Sequence, residues 1–155
     1  MKPEKVKLFI VDDDPMFIIK LAHEFHLHSD FSIETFRTAE LCIEALSHKP
    51  DVIILDYQLD SVDKNAINGL EALEKIKKIN PAIQVVLLSA SEETVKKAVE
   101  EMQDDIFEAA VKNRTAFVNL QNIIASIFNH KKTQKEVALI YGDDAIPFLL
   151  SIKSV

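Results

Sequence analysis

Four apolar stretches of this chain each end in side chains that can do chemistry. Residues 6–11 run into Asp12, Asp13 and Asp14, residues 52–55 into Asp56, residues 83–88 into Ser89 and residues 106–111 into Lys112. One polar residue after an apolar run is ordinary turn composition, but carboxylates, a hydroxyl and an ammonium brought to one crevice form a reactive set. Three carboxylates within about 4 Å of one another repel by roughly 4 kcal/mol per pair at an effective dielectric of 20, so a cation must accompany them. No His or Cys stands at these positions to favour zinc, and an all-oxygen donor set suits a hard divalent ion that keeps some of its waters, which points to Mg2+. Asp56, alone at the end of its run, is the best placed nucleophile. With Mg2+ and Lys112 to neutralise equatorial oxygens and Ser89 opposite, the set points to phosphoryl transfer with in-line attack by the carboxylate.

Only a scaffold that delivers strand ends to one side can assemble these residues. The four runs, with a fifth at 31–36, alternate with stretches of helical spacing. Asp14 caps the first helix with Pro15 in its opening turn, and Ile18, Leu21, Ala22 and Phe25 share a face. Thr38 caps the second, with Leu41, Cys42, Ala45 and Leu46 inward; Leu70, Leu73, Ile76 and Ile79 form a third stripe ahead of Pro81. Ser91 opens the fourth, where Glu92 and Glu93 suit the positive end of the helix dipole and Val95, Ala98, Val99 and Met102 turn inward. The fifth carries Phe117, Leu120, Ile124, Ile127 and Phe128 and is expected to close at His130, Lys131 and Lys132. Five alternations predict an α/β fold, a doubly wound parallel sheet of right-handed βαβ units. Ligands bind beyond the carboxyl ends of such strands.

Composition narrows the function. Two glycines, Gly69 and Gly142, lie too far apart for a P-loop or a dinucleotide fingerprint, which need backbone amides free of Cβ atoms beside the phosphates. Eighteen Lys and Arg against 25 Asp and Glu give a net charge of −7, unlike a chain that binds nucleic acid through a basic face. The single cysteine, Cys42, can form neither an intrachain disulfide nor a Cys-rich zinc site, and no early apolar run approaches a signal or membrane span. The expected setting is therefore the cytoplasm, without direct contact to nucleic acid or membrane.

In its motifs the chain resembles the receiver domain of two-component response regulators. The resemblance is carried by Leu8-Phe9-Ile10-Val11-Asp12-Asp13-Asp14-Pro15, Pro50-Asp51-Val52-Ile53-Ile54-Leu55-Asp56, Val85-Val86-Leu87-Leu88-Ser89-Ala90 and Val111-Lys112, in order and suitably spaced. It implies a flavodoxin-like (βα)5 sheet of order 2-1-3-4-5 over residues 5–130, with 131–155 a short C-terminal extension. It implies that Asp56 accepts phosphate from a histidine kinase or phosphotransfer protein, that Asp12 and Asp13 hold Mg2+ together with Asp56 and the Gln58 backbone carbonyl, and that Ser89 and Lys112 contact the phosphoryl group. The switch would then act on a downstream protein, with no enzymatic activity beyond weak autodephosphorylation. The rival is a Mg2+-dependent hydrolase of the haloacid-dehalogenase type, with Asp12 as nucleophile and Gly142-Asp143-Asp144 as its last acidic motif; Pro15 opens a helix too soon for the flap of that family, and Asp56 would have no role.

The chain also departs from the receiver pattern. Asn113 replaces the proline that usually follows the lysine, which predicts a trans bond or a strained turn there. Ala109 occupies the place of the switch aromatic, with Phe107 two residues earlier. The segment 57–68 is long and polar, with Asp60, Asp63, Lys64 and Asn65, and is expected to overhang the site. His23, His26 and His28 read as a solvated helix face, Cys42 as an inert buried thiol, and Lys96 and Lys97 with their glutamates as a helix surface. The apolar tail 137–155 is expected to pack on its own domain or to form a homodimer.

Overall fold

The computed structural model describes residues 5–28, 30–59 and 64–141. In chain order its elements are β1 (Val6–Val11), α1 (Pro15–His26), β2 (Phe31–Phe36), α2 (Ala39–Glu44) with a 3-10 turn at Ala45–His48, β3 (Val52–Asp56), α3 (Gly69–Ile79), β4 (Gln84–Ser89), α4 (Glu92–Glu101), β5 (Glu108–Val111) and α5 (Ala116–Tyr141). The chain divides into two compact units, Met1–Leu120 and Gln121–Val155. The first holds the sheet, α1 to α4 and the opening of α5. In the second, the described residues are the remainder of α5, on which Leu139 and Ile140 are exposed.

The sheet is all parallel with order β2-β1-β3-β4-β5, the flavodoxin-like arrangement that the receiver resemblance implied. Strands β1 and β3 sit at its centre, and Leu8 to Val11 and Val52 to Leu55 are all fully buried, as near-continuous apolar runs require when both faces are covered. The edge strand β2 has no fully buried residue: Ser32 and Thr35 are exposed and the other four are half-buried. Phe9, Val11, Ile53, Leu55, Val85 and Leu87 share one core with Cys42, Leu73, Ile76 and Ala98 from α2, α3 and α4. Their neighbours Leu8, Ile10, Ile54 and Val86 point to the other face by the period of two, where α1 contributes Ile18, Leu21 and Phe25. Phe25 meets Phe31 and Phe117 edge-on, with centroids 5.1 and 5.0 Å away, an arrangement that aromatic quadrupoles favour.

Some expected inward residues turn outward. Leu41, Ile79 and Val99 are 49%, 58% and 39% exposed, because α2 to α4 each turn only a narrow stripe to the sheet: Cys42 on α2, Leu73 and Ile76 on α3, Ala98 on α4. Helix α5 continues unbroken to Tyr141 rather than closing at residues 130–132. The tail beyond Tyr141, including Gly142, Asp143 and Asp144, lies outside the described residues, as do Asp60 and Asp63.

Cys42 is fully buried, and burial pushes its thiol up to about 12. Iodoacetamide at pH 8 is therefore expected to label Cys42 in the folded protein at least ~100-fold more slowly than in urea, since the thiolate is the reactive form. Equal rates, followed by mass spectrometry, would show an accessible thiol.

Candidate functional site

The carboxylates are delivered by the ends of β1 and β3. The Asp12 amide still pairs with the Phe36 carbonyl at 3.1 Å, so the residue remains held to the sheet edge. Its Oδ1 accepts from the Asp14 amide at 2.8 Å. Asp14 in turn caps α1, its Oδ1 accepting from the amides of Met16 and Phe17 at 3.0 and 3.3 Å. The capping turn therefore orients Asp12 as well as starting the helix. Arg37 donates to the Asp13 carbonyl at 3.3 Å. Asp56 is the last residue of β3, and its Oδ1 accepts from the Gln58 amide at 3.4 Å.

The remaining side chains come from β4 and from the loop after β5. Ser89 ends β4, and its Oγ accepts from the Ser91 amide at 3.2 Å. The Lys112 amide donates to the Ser89 carbonyl at 2.8 Å, extending the β4–β5 ladder by one bond. The Lys112 ammonium reaches Asp12 Oδ2 at 2.7 Å and Asp56 Oδ2 at 3.7 Å. No cis peptide occurs among the described residues, so the Lys112–Asn113 bond is trans. Asn113 holds the loop differently from a proline: its Oδ1 accepts from the Thr115 amide and hydroxyl at 3.0 and 2.9 Å, an Asx turn that leads into α5.

One oxygen each from Asp12, Asp13 and Asp56 lies within 4.8 Å of the others. All three residues are at least nine-tenths buried. Burial first, and the charge of Asp12 second, push the Asp56 carboxyl up to about 7, against the opposing pull of Lys112 and the Gln58 amide. Burial alone would lower Lys112, but it is outweighed by the hydrogen bond to Asp12 and the charges of Asp56, Asp12 and Asp14, which hold the ammonium above its ordinary range. Three carboxylates against one ammonium leave a deficit of two charges, that of one divalent cation. Asp12 Oδ2 is buried and faces the Lys112 ammonium at 2.7 Å, and a carboxylate oxygen has a second lone pair to offer a ligand. The donor set therefore fits a hard, oxygen-preferring metal ion.

The residues expected to carry the chemistry meet at one cleft of about 530 Å3. Asp13, Asp56, Gln58, Ser89 and Lys112 line it, with Asp12 buried behind Lys112. Asn68, Ser91 and Thr94, not expected in this role, line it too. Asn68 and Ser91 cap the helices that follow β3 and β4, and Thr94 lies in the first turn of α4; that place after a strand end is the signal that could have found them. Outside this group, no set of three or more metal-ligating side chains occurs among the described residues. His23, His26 and His28 are exposed, and His28 stacks on Phe117. Ala109 is buried in β5.

Residues 8–128 match the family model of the response regulator receiver domain. Over 87 residues the chain is 32% identical to the response regulator protein VraR of Staphylococcus saprophyticus, a match covering 55% of this chain and 39% of VraR. The chain thus corresponds to well under half the length of that relative. Among solved structures, a CheY-like response regulator receiver domain protein from Methanospirillum hungatei superimposes with a TM-score of 0.69 at 17% identity, covering 84% of this chain and 99% of the other. A receiver domain protein from Clostridium thermocellum gives 0.69 at 22% identity, covering 83% and 98%. Both share the fold of this chain.

Proposed function

The chain belongs to the response regulator receiver domain family, and from that premise we propose that Asp56 accepts a phosphoryl group from the phosphohistidine of a histidine kinase or phosphotransfer protein. The observation that carries the reading is the Asp56 carboxylate in the cleft, with a lysine ammonium at 3.7 Å and the oxygens of Asp12 and Asp13 within 4.8 Å. An Asp56 oxygen forms the new O–P bond as the donor's P–N bond breaks and its imidazole leaves. Mg2+, held by Asp12, Asp13, Asp56 and the Gln58 carbonyl, would supply positive charge to the phosphoryl oxygens. Lys112 neutralises a further oxygen after exchanging its contact with Asp12. Ser89 already accepts the Ser91 amide, which leaves its hydroxyl hydrogen to donate to the phosphoryl group.

A phosphoryl group adds a charge of about −2 and three strong acceptors. New contacts from Ser89 and Lys112 pull on the ends of β4 and β5, and so shift the equilibrium of α4 and its neighbours that a partner protein reads. With Ala109 in β5, this coupling runs through the backbone of the two strands and not through a rotating aromatic. Residues 5–130 act as the receiver unit and 131–155 as its extension. The protein works in the cytoplasm and has at most weak autodephosphorylation; among the described residues no helix is long and apolar enough to cross a membrane.

The test is incubation with acetyl phosphate and Mg2+ followed by mapping of the modified residue. Label on Asp56 that disappears with EDTA is expected. Label on Asp12, or none with Mg2+ in excess, would overturn the reading.

A further inference from the structure

We propose that Phe17 is a positioning residue for Lys112, an inference that rests on the reading of Asp56 as phosphoryl acceptor. The Lys112 ammonium lies 4.5 Å from the centroid of the Phe17 ring, well within the range in which an aromatic face attracts a cation. A lysine side chain is long and flexible, and this one must give up Asp12 at 2.7 Å to serve a phosphoryl group on Asp56. The ring attracts the ammonium without offering a carboxylate, so it keeps Nζ between the two aspartates without competing as a strong acceptor for its hydrogens.

Two further features give the contact this role. Lys112 lines both the reactive cleft and a second hollow of about 480 Å3 beside α1 and the start of α5, whereas Phe17 lines only the second. The ring therefore stands on the side toward which the ammonium would otherwise swing away from Asp56. Phe17 is itself fixed by the turn that orients Asp12: its amide donates to Asp14 Oδ1 at 3.3 Å, and the Asp14 amide donates to Asp12 Oδ1 at 2.8 Å. One short segment thus sets both the carboxylate that holds Lys112 at rest and the ring that retains it when that contact opens.

The test compares the full chain with Phe17→Leu, which keeps apolar volume without a ring, and Phe17→Tyr, which restores the ring; Phe17→Met is a second ringless variant should the leucine form not fold. In wild type the Lys112 ε-methylene protons, assigned by NMR with the help of Lys112→Arg, are expected upfield through the ring current. The shift should vanish in Phe17→Leu and persist in Phe17→Tyr. Labelling of Asp56 by acetyl phosphate at saturating Mg2+ should slow about 3- to 10-fold in the leucine variant and return to within about twofold of wild type in the tyrosine variant. The Mg2+ half-saturation should be unchanged in both. An unshifted wild-type resonance, an unslowed leucine variant that has lost the shift, or a tyrosine variant as slow as leucine would each overturn the proposal. If wild type takes no label at all, the acceptor reading fails instead, and the Lys112 resonance still decides whether the ring holds the ammonium.

Discussion

Asp56→Asn is expected to make the metal-free protein more stable at pH 8, by about 3–4 kcal/mol, while abolishing phosphoryl uptake. The carboxyl is pushed up to about 7 in the folded chain, above the roughly 4 of an unfolded aspartate. A group whose pKa is raised by folding contributes stability that is complete below its unfolded pKa and lost as pH rises through the folded one. For Asp56 that loss runs from about pH 4 to pH 7, at 1.36 kcal/mol per unit. Asparagine has no charge to bury, so its advantage over wild type should be small near pH 4 and reach its full size above pH 7. A divalent cation that binds only the folded state recovers stability by mass action, about 2.7 kcal/mol at 100 times its dissociation constant. Mg2+ should therefore close most of the gap at pH 8 by stabilising wild type more than the variant. Urea midpoints in EDTA and in Mg2+ from pH 4 to pH 8 check this. Coincident wild-type and variant midpoints in EDTA at every pH would show that Asp56 is not strained by its neighbours.

The stability cost at Asp56 and the chemistry proposed for it have one source, and that source was readable early. Val52 to Leu55 without a polar break pointed to a central strand covered on both faces, and the carboxylate placed directly after it is buried. The alternation of runs and helical stripes gave the fold class for the same reason: parallel strands need crossovers. The strand order came only with the receiver resemblance, because hydrophobic runs carry no record of which neighbour they pair with. Sequence reasoning failed where a property depends on a surface nearby in space. Leu41, Ile79 and Val99 fit helical stripes yet lie outside what the sheet covers. Phe17 and Lys112 are 95 positions apart, and nothing in either neighbourhood announces that the ring lies beside the ammonium. Asn113, expected to bring a trans bond or a strained turn, brings the trans bond, and its side chain supplies a turn that the motif resemblance did not suggest.

Gly69 is the position where helix propensity and packing give opposite signs, and the sign of one substitution decides between them. It is the first residue of α3, after the Asn68 cap. At an ordinary site there, Gly69→Ala would stabilise by up to about 1 kcal/mol through the unfolded chain. Here an added Cβ would collide with the Asp56 carbonyl oxygen and stand 2.7 Å from Tyr57 Cα and 2.8 Å from the Tyr57 carbonyl oxygen. All three are backbone atoms, and none can rotate away. The Tyr57 carbonyl accepts the Gly69 amide at 2.9 Å, and the Tyr57 amide is tied to the Leu88 carbonyl at 2.7 Å. Relief must come from lifting α3 off the end of β3 or from dragging Asp56 with the strand. Gly69→Ala is therefore expected to destabilise by about 3 kcal/mol, a fall in Tm of roughly 6–12 °C for a chain of this size. Asp56 would lose its place between Lys112 and the other carboxylates, so acetyl phosphate labelling should fall at least about 10-fold even in the fraction that remains folded. Calorimetry and labelling at 15 °C, where the variant stays folded, separate the two effects. A raised Tm would show that the end of β3 yields freely, and would remove the argument that Gly69 keeps Asp56 in register.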